Sequence, residues 1–69
     1  LPDEPEVHYN LACSLALLGD ADEAFRALRR AAELGYDDLA HLERDRDLDA
    51  LRADPRFEVV RRAVGRCGS

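Results

Sequence analysis

The chain has 69 residues and a formal net charge of −5, enough for one small domain whose core is marginal without neighbours. Hydrophobic residues make up 46% of the chain and charged residues 36%, which is typical of a globular protein rather than a disordered one. The acidic balance argues against nucleic acid as a partner, because duplex affinity comes from clustered cations. No apolar run approaches the length of about 18 residues that a membrane span needs.

The two cysteines, Cys13 and Cys67, are too few for a disulfide framework and lack CxxC spacing. Cys13 lies in an apolar helical pattern, so we expect a buried free thiol there. Cys67 belongs to residues 66–69, which we expect to form a flexible tail. Free thiols without a visible secretory signal predict a cytoplasmic protein. The chain begins at Leu1 and contains no methionine, which favours a piece of a longer protein.

A first amphipathic helix is predicted over residues 5–18. Its apolar residues recur at spacings of four, four and three, which places them on one helical face. Pro5 suits the first turn because its φ is already helical, and the acidic neighbours Glu4 and Glu6 favour the positive end of the helix dipole. The apolar stripe consists of Val7, Leu11, Leu15 and Leu18.

A second helix is predicted over residues 21–34, after a sharp corner. Gly19 would cost about 1 kcal/mol inside one continuous helix, whereas at the end of the first helix it supplies a left-handed residue. Asp20 then caps the second helix, with Glu23 at the position of a capping-box partner, and Gly35 ends that helix. The two helices are expected to form an antiparallel hairpin. The second apolar stripe consists of Ala24, Leu28, Ala31 and Leu34.

The run YNLACSLALLGDADEAFRALRRAAELG, residues 9–35, resembles the tetratricopeptide repeat (TPR) family. The agreement is carried by the Gly19-Asp20 turn and by Ala24 and Ala31 at small-residue positions. The resemblance implies an all-α fold, in which a TPR-like antiparallel helical hairpin is followed by short C-terminal capping helices, and a role in binding other proteins. The family's large Trp, Tyr and Phe are replaced here by His8, Leu15 and Leu28.

Residues 1–69 are predicted to form a single domain, with the TPR helix–turn–helix at 5–35 and degenerate capping helices at 36–65. A second intact repeat would need Gly and Ala where the chain has Ala53 and Glu58. Instead, the pattern D-x-D-L-x-x-L-R-x-D-P-R-F resembles the ending of bacterial tetratricopeptide arrays. Such an ending lays apolar residues over the open face of the last helical pair.

Three aspartates are predicted to begin short helices in this second half. Asp38 and Asp47 can each act as an N-cap, and Asp54-Pro55 combines an N-cap with a proline suited to the first turn. We expect the apolar residues of these helices to pack on the outer stripe of the second helix. They are Leu48, Leu51, Phe57, Val60 and Val64.

One helical pair cannot bury both of its faces. The N-terminal side around Val7 and Leu11, together with the groove residues named below, is therefore expected to be only partly covered. In a longer protein an earlier repeat would lie there, and in the isolated chain a second copy would cover it.

The acidic run Asp45, Asp47 and Asp49 matches the first ligand positions of an EF-hand loop. Ala50 replaces the glycine of the loop and Arg56 replaces its terminal glutamate, so the sharp turn and the bidentate ligand are both missing. Helix caps explain these aspartates better than calcium does.

The histidines and cysteines do not form a metal or nucleophile motif. His8 and Cys13 are separated by about 140° around the helix, and His41 has no companion ligand nearby in the sequence. No glycine-rich phosphate loop and no serine nucleophile elbow is present. The sequence therefore predicts that the chain is not an enzyme and binds no metal or cofactor.

By the family resemblance, the first helix lines a concave groove that receives an extended peptide or a partner helix. The Asn10 amide can donate to and accept from a peptide backbone, and Glu6 with no nearby cation favours a basic or apolar partner. The alternative is a purely structural cap, or a self-association segment, of a repeat array with no separate ligand. The groove residues implied are Glu6, Tyr9, Asn10, Cys13, Ala16 and Leu17.

Overall fold

The computed structural model describes residues 3–64, and this part of the chain is all-α, as predicted, with no strand. A helical hairpin comes first and a set of shorter helices follows. The tail 66–69 and Cys67 lie outside the described residues. In chain order the elements are α1 (Pro5–Leu17), α2 (Ala21–Glu33), α3 (Leu39–Arg44), a 3₁₀ helix (Arg46–Leu51) and α4 (Pro55–Ala63).

The corner between α1 and α2 is built as the sequence predicts. Gly19 has a φ of +84°, a left-handed conformation that disfavours a side chain with a Cβ atom. The Gly19 amide donates to the Ala16 carbonyl and the Asp20 amide donates to the Leu15 carbonyl. Together these bonds form the Schellman arrangement that satisfies the last carbonyls of α1. Gly35, with a φ of +104°, ends α2 in the same way.

The start of α2 differs from the prediction in one respect. The Asp20 side chain accepts a hydrogen bond from the Glu23 amide at 3.3 Å, so the N-cap is confirmed. The reciprocal bond of a capping box is not formed, because the Asp20 amide already donates to Leu15. The Glu23 carboxylate instead lies 3.5 Å from the Arg26 guanidinium.

Small residues allow α1 and α2 to pack closely as an antiparallel pair. Ala12 and Ala24 are both 0% exposed, and an alanine at a helix contact lets the two backbones approach. Larger side chains fill the remaining space at the density that protein interiors require. The buried set on α2 also includes Phe25, Ala27, Leu28, Ala31 and Ala32.

Capping in the second half is largely as predicted, with one correction. Asp38 caps α3 by accepting from the His41 amide at 3.0 Å, and Asp54 caps α4. Asp47 was predicted to be the third cap, but Asp45 occupies that position and accepts from the Asp47 amide at 3.0 Å. The intervening helix is 3₁₀ and starts two residues earlier than the pattern suggested.

The second half covers both helices of the hairpin rather than α2 alone. The 3₁₀ helix packs against α1, and α4 packs against α2, so the expectation that the apolar residues would all lie on α2 is wrong. The Arg56 guanidinium lies 4.5 Å from the Phe25 ring centre and also bonds to Asp22, which fixes α4 on α2. Leu48, Leu51, Phe57, Val60 and Val64 are all buried.

No helix in the described part of the chain is both long and apolar enough to cross a membrane.

Candidate functional site

A cleft of about 410 Å³ opens between α1 and the segment that connects α2 to α3. α1 contributes residues from its first two turns, and the connecting segment contributes three consecutive residues after Gly35. We call it the α1 cleft. Its lining consists of Pro5, Glu6, Tyr9, Asn10, Tyr36, Asp37, Asp38 and His41.

The floor of the α1 cleft is aromatic. The rings of Tyr9 and Tyr36 stack with centres 4.5 Å apart and planes 10° apart, and the His41 ring lies tilted against Tyr9 at 5.5 Å. Stacked aromatic pairs contribute about 0.5–1.5 kcal/mol beyond the area that they bury. The stack therefore helps to hold the connecting segment on α1 and forms the base of the cleft.

Below this floor, Asp45 accepts hydrogen bonds from α1 and from the 3₁₀ helix, and it lies beside a histidine of α3. Its Oδ2 accepts from the Tyr9 hydroxyl at 2.6 Å and from the Cys13 thiol at 3.5 Å, and it lies 3.3 Å from His41 Nε2. Its Oδ1 accepts from the Asp47 amide. Asp45 thus joins α1, α3 and the 3₁₀ helix through one carboxylate.

The titration of this cluster follows from burial and from these bonds. Burial alone would raise the pKa of Asp45, but hydrogen bonds from Tyr9, the Asp47 amide and Cys13 hold that pKa below its usual value. Burial and the neighbouring Asp45 raise the pKa of Tyr9 and raise that of Cys13 to about 12. Burial, with the charge of Asp38, also raises the pKa of Tyr36 to about 12. Both tyrosines and the thiol therefore stay protonated, and Tyr9 and Cys13 donate to Asp45.

The rim of the α1 cleft is acidic. Glu6, Asp37 and Asp38 are all exposed, and within residues 3–64 no cation lies within salt-bridge distance of Glu6 or Asp37. Of the arginines that the structure describes, none lines the cleft. Elsewhere arginines reach across elements to carboxylates, in the pairs Arg30–Asp3, Arg56–Asp22 and Arg61–Glu43.

The structure divides the six predicted groove residues into two groups. Glu6 and Asn10 are exposed and line the α1 cleft, and Leu17 is 68% exposed at the other end of α1. The other three are buried, since the second half packs on this face of α1, and the expectation that they would stay only partly covered is wrong for them. They are Tyr9 at 4%, Cys13 at 8% and Ala16 at 4% exposed.

Half of the cleft was not predicted. Tyr36, Asp37, Asp38 and His41 come from the segment after α2, and the sequence suggested only that Asp38 caps a helix. Tyr36 follows the left-handed Gly35, whose Schellman bonds direct the chain back toward α1. The turn at Gly35 is therefore the sequence feature from which a tyrosine packed on α1 could have been predicted.

The thiol and two aspartates also form a group with metal-ligand chemistry. One potential ligand atom from each of Cys13, Asp45 and Asp47 lies within 4.8 Å of the others, and the sequence did not predict that a thiol and His41 would meet at one carboxylate. The hydrogen bonds of Asp45 account for this proximity without an ion. We therefore interpret the cluster as a structural hydrogen-bond centre.

A second depression lies on the opposite side of the hairpin from the residues that line the α1 cleft. It has a volume of about 380 Å³ and shares no lining residue with the α1 cleft. Leu11 and Leu15 are only half-buried there. We call it the side groove, and its lining consists of His8, Leu11, Leu15, Glu23, Arg26, Ala27, Arg30 and Glu33.

Comparisons with known proteins add one similarity. No family model matches the chain, and no solved structure matches it. The chain is 34% identical over 60 residues, 86% of its own length, to a chloroplastic protein of Arabidopsis thaliana. It spans 18% of the length of that relative. The similarity therefore joins nearly all of this chain to one segment of a much longer protein.

Proposed function

We propose that this chain is a TPR-like terminal unit that works as a protein–protein interaction module, with no catalytic step of its own. The observation that carries the proposal is the α1 cleft, which combines a floor of stacked aromatic rings with exposed polar side chains on one face of α1. Such a concave surface with a few placed polar groups is the usual form of a binding site. The ligand is an extended peptide segment of a partner protein.

Asn10 is the residue that would hold the peptide backbone. It is exposed and lies one turn after Glu6 on the same face of α1. Its amide offers both a donor and an acceptor, so it can pair with an N–H and a C=O group of an extended chain. The stacked tyrosines beneath it limit the rearrangement that binding would require.

Selection of linear peptides from a phage-displayed library tests this function. Peptides that bind the 69-residue chain are expected to lose about 5- to 20-fold in affinity when Asn10→Ala removes two backbone hydrogen bonds. Ser14→Ala is the matched control, because Ser14 is exposed on the same helix and does not line the α1 cleft. Peptides that bind both variants equally, or no binding peptides at all, would remove the proposal.

A structural role in a repeat array is a second candidate, and the side groove favours it. The second half covers one side of the hairpin, but Leu11 and Leu15 remain only half-buried on the opposite side. Leu18, three residues after Leu15, is 81% exposed. An earlier helical pair would cover this side in a longer protein. In the isolated chain we expect a second copy to do so.

Sedimentation velocity over a wide range of concentrations tests this second role. The wild-type chain is expected to associate as concentration rises, and Leu15→Glu is expected to abolish association by placing a charge in the side groove. Leu17→Glu is the control, since Leu17 is exposed and lies outside that groove. A chain that stays monomeric at every concentration would show that it needs no neighbour.

A further inference from the structure

We infer that the α1 cleft takes a cationic side chain, and that its ligand is an extended peptide segment bearing arginine. This inference rests on the proposed function and adds the chemistry of the partner. The cleft differs from the remaining described surface in how its carboxylates are paired. Arginines pair with carboxylates across elements elsewhere, but among residues 3–64 no arginine lines the cleft or pairs with Glu6 or Asp37 on its rim.

The carboxylates flank the cleft from two separate elements. Glu6 lies in the first turn of α1, and Asp37 and Asp38 lie in the segment before α3. A cation between them would interact with charges from both elements at once, which makes the arrangement more than a charge run on one solvated helix face. Asp45 adds a further negative charge beneath the floor, where its pKa is held low.

The floor favours a guanidinium over a compact ammonium. The exposed His41 ring, which lies tilted against Tyr9, supplies most of the accessible aromatic surface, and the buried tyrosine stack supports it. A planar guanidinium stacks on an aromatic ring while its N–H groups reach carboxylates. The same pairing already exists within this protein. Arg56 lies 4.5 Å from the Phe25 ring centre and bonds to Asp22 and Asp54.

Peptide titrations followed by amide chemical shifts of the 69-residue chain test the inference. The probe is a short acetylated and amidated peptide in which arginine alternates with serine. Matched peptides carry citrulline, which is neutral and nearly the same shape, or glutamate in place of arginine. Only the arginine peptide is expected to shift the resonances of residues 6–10 and 36–41. Its affinity should fall as salt rises from about 0.05 to 0.5 M, because exposed charges are screened.

Two double variants locate the charges that matter. Glu6→Gln with Asp37→Asn is expected to weaken binding of the arginine peptide by about 3- to 10-fold, as for the loss of two exposed ion pairs. Glu23→Gln with Glu33→Gln makes the same change in net charge at the side groove, and it should alter affinity by less than about 2-fold. Asp38 is left unchanged because it caps α3.

The outcomes separate this inference from the proposed function. Equal binding of the citrulline peptide, or equal weakening by the two double variants, would overturn the role of the cation and leave peptide docking intact. Phage-selected peptides that bind at the α1 cleft but carry no arginine would have the same meaning. If neither the arginine probe nor any phage-selected peptide shifts the resonances of the cleft residues, the inference and the proposed function are both overturned.

Discussion

The Tyr9 hydroxyl donates a 2.6 Å hydrogen bond to the Asp45 carboxylate across a separation of 36 residues. This bond joins the first helix of the hairpin to the end of α3 and the start of the 3₁₀ helix. It also fixes one ring of the tyrosine stack that forms the floor of the α1 cleft. The stability of the fold and the shape of the cleft therefore depend on the same pair.

Tyr9→Phe is expected to lower the free energy of unfolding by about 1.5–3 kcal/mol, because it removes a hydrogen bond to a charged acceptor at a partly buried site. Urea denaturation monitored by circular dichroism measures the change. In the background of Asp45→Asn the same substitution should cost less, and the difference gives the coupling of the pair. Equal costs in both backgrounds would mean that the hydroxyl and the carboxylate act independently.

Acid should weaken the contribution of Asp45 in a defined direction. Its pKa is lowered in the folded chain, so the stability that it contributes is present above the unfolded value of about 3.9 and is lost as the pH falls through the folded pKa. The stability difference between the wild type and Asp45→Asn should therefore shrink as the pH falls below about 4. Asp54 and Glu58 also have lowered pKa values. Both residues are present in the wild type and in the variant, so their contributions cancel in the stability difference. A difference that stays constant with pH would contradict the prediction.

The Cys13 thiol is expected to resist alkylation in the folded chain. Its pKa is raised from 9.0 to about 12, which reduces the thiolate fraction at about pH 8 roughly 1000-fold, and the residue is buried. Reaction with iodoacetamide should be measured in a Cys67→Ser variant, which isolates this thiol, in the presence and absence of denaturant. We expect the folded chain to react at least about 100-fold more slowly, and comparable rates would show that the thiol is accessible.

The corner at Gly19 depends on backbone conformation rather than on space. A Cβ atom added there would meet no atom within 4 Å, yet φ is +84°. Gly19→Val is expected to cost about 1 kcal/mol or more, because a β-branched residue resists the left-handed region. Gly19→Asn is the matched control and should cost less, since asparagine tolerates that conformation. Thermal unfolding measures both, and equal melting temperatures for the two variants would rule out conformational strain as the cause.

The helical hairpin was predictable because its signals are local. Left-handed glycines, N-caps and the spacing of apolar residues each act over a few positions, and Gly19, Asp20, Asp38 and Asp54 behave as their patterns indicate. The exception is Asp47, where the cap was predicted two residues too late. Neighbouring aspartates have the same cap propensity, and only the tertiary bonds to Tyr9 and Cys13 select Asp45.

The α1 cleft was predictable only in part. Glu6 and Asn10 could be placed on one face of a helix from their spacing, as the structure has them. The burial of Tyr9, Cys13 and Ala16 could not, because periodicity shows which face is apolar and not which element will cover it.

The sequence by itself determined the two helices of the hairpin and the corner between them, since these depend on backbone preference and hydrogen bonds between near neighbours. Tertiary structure decided how the second half divides between α1 and α2, and it brought Tyr36, Asp37 and His41 beside Glu6 and Asn10. Contacts between distant residues depend on the simultaneous packing of all apolar surfaces and on one shared carboxylate, Asp45. The cleft and its acidic rim exist only once that packing is complete.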